Sequence, residues 1–230
     1  MFSQARQPRP KLMTRSLLLP LGLLPVLGFA QVTKAGGGYQ FRAKLRKGQV
    51  ISYSMTAMKT AGGGGPMKIL SPFTLTVLGP EGSDYRVRAS SGPVTMNGKE
   101  YQPKTSTEGL LDSRLRPVGG GDQAGAFTGM FPERSIAIGS SWTAPLAIST
   151  GNLPGNSVAT YRFQKITTID GQPVAVLQTT LAGMLKGSGV TLVRMSDGTP
   201  QRMTLTLGLT YTKGPQKETP MQLRFDVIRK

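Results

Sequence analysis

QRMTLTLGLTYT, residues 201–212, alternates along its length: Met203, Leu205, Leu207, Leu209 and Tyr211 fall at every second position, with Thr204, Thr206, Thr210 and Thr212 between them. Successive side chains of a strand point to opposite faces, so this spacing predicts one buried and one solvated face. Helical geometry would scatter the same residues around a cylinder. The period recurs on both sides of this stretch. Residues 222–228 place Leu223, Phe225 and Val227 inside, and residues 50–59 place Ile51, Tyr53, Met55 and Ala57 on one face. Residues 39–46 set Tyr39, Phe41, Ala43 and Leu45 against Gln40, Arg42, Lys44 and Arg46. Phe73, Leu75 and Val77 alternate within 69–78, and Tyr85, Val87 and Ala89 oppose Arg86 and Arg88.

Shorter strand signals occupy 94–101, 109–116, 142–148, 158–169, 173–185 and 189–195. Asn97-Gly98, Asp170-Gly171 and Asp197-Gly198 are two-residue turn signals of the kind that joins antiparallel strands. With 30 Gly and 17 Pro in 230 residues, the chain favours frequent turns over long helices. One helical turn is expected, at 126–131. Residues 213–218 read as a loop. About ten strands at short spacing predict an all-β fold: an antiparallel sandwich, a barrel or a single strongly curved sheet.

Residues 1–15 are basic and polar, and 16–29 (SLLLPLGLLPVLGF) form an apolar run too short to span a bilayer. Gly28 and Ala30 supply the small residues of a cleavage site before Gln31, so 1–30 read as a secretory signal peptide. Export to the periplasm or the extracellular space is therefore expected. Residues 31–38 read as a flexible lead-in, and 39–230 as one all-β domain. TLTVLGPEGSDYRVRASS from Thr74 and FQKITTIDGQPVAVLQTT from Phe163 are similar. That likeness allows either duplicated halves, 39–130 and 135–230, or two hairpins alike by chance.

Composition excludes more chemistry than it proposes. There is no Cys and no His. Thiol nucleophiles, thiolate or imidazole metal sites and Ser-His-Asp catalysis are therefore impossible. No phosphate-cradling loop, calcium loop or cofactor motif is present. Eleven acids remain as possible catalysts. Glu108 and Asp112 share a predicted strand, but four residues apart along a strand is roughly 13 Å, too far for a carboxylate pair. Most of the other acids sit in turns beside Gly.

The formal charge is +17. Removing the leader's Arg6, Arg9, Lys11 and Arg15 takes four from 17 and leaves +13. Such a charge favours anionic partners such as lipid headgroups or glycans. Arg42, Lys44, Arg46, Arg86 and Arg88 are the candidate anionic-ligand surface. Nucleic acid is a poor partner, because the aromatics Tyr39, Phe41, Tyr85 and Phe225 alternate to the inner face, away from those cations. The candidate apolar interior is Tyr53, Met55, Phe73, Met203, Leu205 and Tyr211, where methionine suits a cavity taking varied ligands.

The most distinctive stretch is FPERSIAIGSSW, residues 131–142. Phe131-Pro132 starts extended, Ile136 and Ile138 alternate inward, Gly139 allows a corner and Trp142 anchors it. This corner, with the Lys47-Gly48-Gln49 and Tyr53-x-Met55 piece, resembles secreted bacterial β-rich proteins of unknown function. The layout is also similar to the curved sheets of lipoprotein-carrier (LolA/LolB-like) proteins. Together these readings favour an exported, non-catalytic β protein that takes an apolar or anionic ligand of the cell envelope. A structural subunit pairing its edges with another envelope protein is a second class. A hydrolase using carboxylates alone is a third.

Overall fold

The computed structural model describes residues 32–62, 65–119, 130–146, 157–183, 185–209, 212–213, 216–217 and 221–230. Its strands are β1 (Val32–Ala35), β2 (Gly38–Phe41), β3 (Val50–Ala61), β4 (Lys68–Glu81), β5 (Asp84–Ser91), β6 (Val94–Met96), β7 (Lys99–Gln102) and β8 (Thr105–Leu111). They continue with β9 (Pro117–Val118), β10 (Ser141–Leu146), β11 (Ser157–Ile169), β12 (Gln172–Ala182), β13 (Leu185–Arg194), β14 (Pro200–Leu209), β15 (Thr212–Lys213), β16 (Gln216–Lys217) and β17 (Met221–Arg229). Among the described residues there is no helix.

One 13-stranded sheet runs in the order β10-β11-β12-β13-β14-β17-β3-β4-β5-β8-β9, with β6 beside the start of β4 and β7 beside β6. Every pairing is antiparallel. The first and last parts of the chain meet at β17 and β3 in the middle of the sheet. No pairing among the described residues joins β10 to β8 or β9. The fold is the single curved sheet among the three architectures expected.

Turn chemistry is as expected at two hairpins. Asn97 and Gly98 have φ of 50° and 82°, and Asp170 and Gly171 have 50° and 72°. Both central residues of a type I′ turn need positive φ, and that twist matches the flanking strands. The hairpins built on 74–91 and 163–180 each carry one register shift, at Val77/Gly79 and at Phe163/Lys165.

Several boundaries differ from expectation. Residues 32–35 are a strand paired with β2, because Gly36 and Gly37, at φ of 54° and 81°, turn the chain back. The strand expected over 39–46 stops at Phe41. Beyond it Ala43 and Leu45 stay buried and Lys44 and Arg46 exposed, without a continuous ladder. The strand expected over 109–116 is instead β8, a turn held by Asp112, and β9. The strand expected over 173–185 ends at Ala182, and Leu185 begins the next. Residues expected as loop at 213–218 include the short pair β15 and β16. Ile138 is 49% exposed rather than inward. The expected helical turn falls mostly on 126–129, and the leader on 1–30, both outside the described residues.

One end of the sheet is sealed by the chain that precedes β3. At this near end lie the start of β3, the β4–β5 turn, the β13–β14 turn and the start of β10. Lys44 N–H donates to Asp197 O (3.0 Å), Ala43 N–H to Ser113 O (2.6 Å) and Val32 N–H to Met195 O (3.2 Å). Tyr39 and Ile136 exchange backbone bonds at 2.7 and 3.0 Å. Phe41, fully buried, meets the rings of Phe163, Phe131 and Trp142 at 5.2, 5.7 and 6.2 Å. Trp142 stacks on Tyr161 and donates its indole N–H to Met130 O (2.8 Å), which makes it the expected anchor. Burying one such aromatic is worth about 3 kcal/mol.

Candidate functional site

The cross-strand registers lay the inward residues in rows. One row runs Phe163, Leu177, Thr191, Met203, Val227, Met55, Ser71 across β11, β12, β13, β14, β17, β3 and β4. The next runs Tyr161, Thr179, Gly189, Leu205, Phe225, Ala57, Ile69 and reaches Met96 on β6. Adjacent members of a row are about 5 Å apart. Met203 and Met55 therefore flank Val227 in one continuous apolar surface.

Glycine allows the tightest approach within this surface. A Cβ at Gly187 or Gly189 would collide with the carbonyl oxygen of Thr206 or Thr204. Strands β13 and β14 close on each other there as no larger residue would permit.

Burial is uneven on the concave face. Phe163, Leu177, Val193, Val227 and Tyr53 are buried, as are Leu205, Leu207 and Ala57 further from the sealed end. Met55, Phe73, Leu75, Met203 and Phe225 pack against that core but remain only partly buried. Tyr53 stands at the boundary. It stacks on Phe73 at 4.8 Å and 16°, and its hydroxyl donates to Pro200 O (3.2 Å). Burial pushes that phenol well above its ordinary value. Burial likewise pushes Tyr161 up to about 12. Both phenols are neutral groups of the apolar interior at any physiological pH.

Five of the six expected interior residues thus share one surface: Tyr53, Met55, Phe73, Met203 and Leu205. The sixth, Tyr211, lies outside the described residues. Phe225 belongs with them, directly opposite both Leu205 and Ala57. Its alternation with Leu223 and Val227 is the signal for it.

The expected cationic surface is distributed differently. Arg88 Nη2 lies 2.6 Å from Glu108 Oε1, and Arg86 Nη2 lies 2.7 Å from Glu81 Oε2. Arg42 donates to the carbonyls of Phe41, Pro132 and Glu133 at 2.6, 2.9 and 2.6 Å. Desolvation first, and then the neighbouring Arg114 guanidinium, lower its affinity for a proton. Lys44 and Arg46 are exposed on the segment after β2. Arg86 and Arg88 sit side by side on β5, each opposed by a carboxylate, and Arg42 is turned to backbone carbonyls.

The carboxylates at the near end organise backbone. Asp112 accepts from the backbone N–H groups of Arg114 and Arg116 and from Arg116 Nε, at 2.8, 2.9 and 2.7 Å. Arg114 bridges Asp112 and Glu133, whose carboxyl is held below its ordinary range by that contact. Asp197 accepts from Thr199 N–H and Oγ1 and from Arg229 Nη1. Burial works to raise the Asp197 carboxyl, but these donors outweigh it and hold it below 3.8. A polar recess of about 510 Å³ lies at this end, lined by Arg42, Asp84, Asp112, Arg114 and Glu133. Its charges largely satisfy one another. Among the described residues no group of acids could hold a metal ion, and no helix is long and apolar enough to cross a membrane.

No protein family and no curated protein matches the chain. Several solved structures are similar in fold. A lipovitellin structure, described for its lipid–protein interactions, shares 11% identity over 81% of this chain at a TM-score of 0.46. This chain spans only 25% of the lipovitellin chain. A protein from Bacteroides fragilis, described as exported and of YmcC-like fold, shares 12% identity at 0.36, covering 83% of this chain and 99% of that one. A LolA-superfamily protein from Nitrosomonas europaea shares 11% identity at 0.20, covering 80% and 84%. At TM-scores below 0.5, none of these likenesses bears on ligand or activity.

Proposed function

We propose that this protein is an exported, non-catalytic β protein that binds an apolar ligand, a lipid of the cell envelope, on the concave face of its sheet. The observation that carries the reading is that Met55, Phe73, Met203 and Phe225 stay half-buried on the concave face beside the buried Val227 and Leu205. Leaving such residues half-buried forgoes stability, since each buried methylene is worth about 0.8 kcal/mol. Methionines at Met55 and Met203 let the surface follow ligands of different shape. The phenol of Tyr53 closes the deep end of the row.

The anionic alternative draws less support. Two of its five residues face glutamates, and a third donates to backbone carbonyls. Partners are accordingly envelope lipids before anionic glycans or a second envelope protein.

Native mass spectrometry of the protein recovered after export tests the reading. An excess mass released as lipid by denaturation, or uptake of added fatty acid, is the expected result. A bare mass that stays bare with fatty acid in excess would remove the apolar-ligand function.

A further inference from the structure

Charge is sorted along the strands. The acids of the turns and loops at the sealed end are Glu81, Asp84, Asp112, Glu133, Asp170 and Asp197. At the far rim, where β3 ends and β4 begins, stand Lys68, Lys99, Lys104 and Lys186, with Glu100 as the one carboxylate among the described residues. Arginines hold Glu81, Asp112, Glu133 and Asp197 in ion pairs. The four lysines make no ion pair among the described residues. The hairpin β6–β7 carries this charge beside apolar groups. Tyr101 is 67% exposed and Leu70, opposite Thr95, is 39% exposed. Met96 lies opposite both Ile69 and Lys99. Through Ile69 and Ala57 the hairpin is continuous with the row that holds Phe225.

We propose that the far rim, centred on the β6–β7 hairpin, docks on an anionic lipid bilayer, with Tyr101 at the headgroup level and Lys68, Lys99 and Lys104 against the phosphates. Tyrosine favours the boundary between headgroup and hydrocarbon, and lysine keeps its ammonium in water while its stem lies along apolar surface. Each lysine near an anionic leaflet adds attraction that salt screens within about 10 Å. At the sealed end carboxylates hold Arg86, Arg114, Arg116 and Arg229, and the exposed aromatic among the described residues, Tyr101, lies at the far rim rather than beside Arg46, Lys47 or Arg134. This inference rests on the concave-face reading, to which it adds the surface where an apolar ligand is exchanged.

The test is sedimentation of the exported protein with phosphatidylcholine vesicles, with and without phosphatidylglycerol. Binding is expected only to the anionic vesicles. Lys68→Glu/Lys99→Glu/Lys104→Glu should lower it at least about tenfold. The control, Arg46→Glu/Lys47→Glu/Arg134→Glu, makes the same charge change at the sealed end and should lose far less. Equal losses in the two variants would overturn the proposal in favour of diffuse net charge. Equal binding to both vesicle types would overturn it as well. The chain has no cysteine, so Tyr101→Cys carrying an environment-sensitive dye reports contact independently. Its emission should shift blue on anionic vesicles, and an unchanged spectrum would contradict docking. A fluorescent fatty acid offered in solution separates the two readings. The lysine variant should still take it up. Vesicle binding by a protein that takes up no fatty acid would leave docking standing and remove the concave-face function.

Discussion

The sealed end and the middle of the concave face are built from the same strands and the same residue types, yet they are finished differently. At the sealed end Phe41, Phe131 and Phe163 interlock, and 42–45 cross over the β13–β14 turn. Gly198 is required there, because a Cβ would collide with Arg42 O. Across the sheet in the same row as Phe163 and in the next, Met55, Met203 and Phe225 have comparable apolar bulk and are left partly buried. Equal composition with unequal burial separates a region that holds the fold together from one available to a ligand.

The sharpest break of that comparison is Phe41→Ala. It removes a fully buried ring from three aromatic partners and should cost about 3–5 kcal/mol in denaturant unfolding. A loss no larger than that of Met55→Ala would mean that the sealing chain is not the stable part.

Asp197→Asn comes next, at about 3 kcal/mol, because Arg229 is left largely buried without its charge partner. The carboxyl sits lower in the folded state than its ordinary value. Its stabilisation is therefore complete above the unfolded pKa of about 3.9, and is lost as pH falls through the lowered folded value. Acid unfolding of Asp197→Asn should show a correspondingly weaker pH dependence below about pH 4. An identical acid profile would show that the Asp197–Arg229 contact contributes nothing.

Met55→Ala should cost only about 1–2 kcal/mol, since part of the side chain already meets solvent, while weakening uptake of a fluorescent fatty acid several-fold. The reverse pattern, a large stability loss with full uptake, would assign Met55 to the core. Smallest is Arg88→Ala, under about 1 kcal/mol, because Arg88 and Glu108 are 50% and 43% exposed. A larger cost would mean that the outer face does more than solvate the sheet.

Much of this contrast is legible before any coordinates. Alternation in 50–57, 203–209 and 223–227 puts the right residues on the inner face, and Asn97-Gly98 and Asp170-Gly171 name their turns, whereas Asp197-Gly198 lies inside the longer loop 195–199 with only Gly198 at positive φ. What the chain does not display is which strands adjoin. Met55 and Met203 become neighbours only through Val227, because β17 pairs with both β3 and β14. That pairing closes a loop of well over a hundred residues, which no local pattern encodes. Arg42 illustrates the same limit. Its outward alternation suggested a free cation, but carbonyls some ninety residues later capture it. Val32–Ala35 went unrecognised as a strand because the glycines after it look like a linker, when two of them form its turn.

The most direct test of the central claim is a titration of the purified protein and its Met203→Lys variant with a fluorescent fatty acid, after circular dichroism has established that both are folded. Met203 is partly buried on the concave face and makes none of the ring contacts that hold the sealed end. A charge placed there should leave the sheet intact and weaken binding by at least about tenfold, because desolvating an unpaired ammonium against an apolar chain is costly. Full affinity in a well-folded Met203→Lys protein would contradict the assignment of the concave face as the ligand surface.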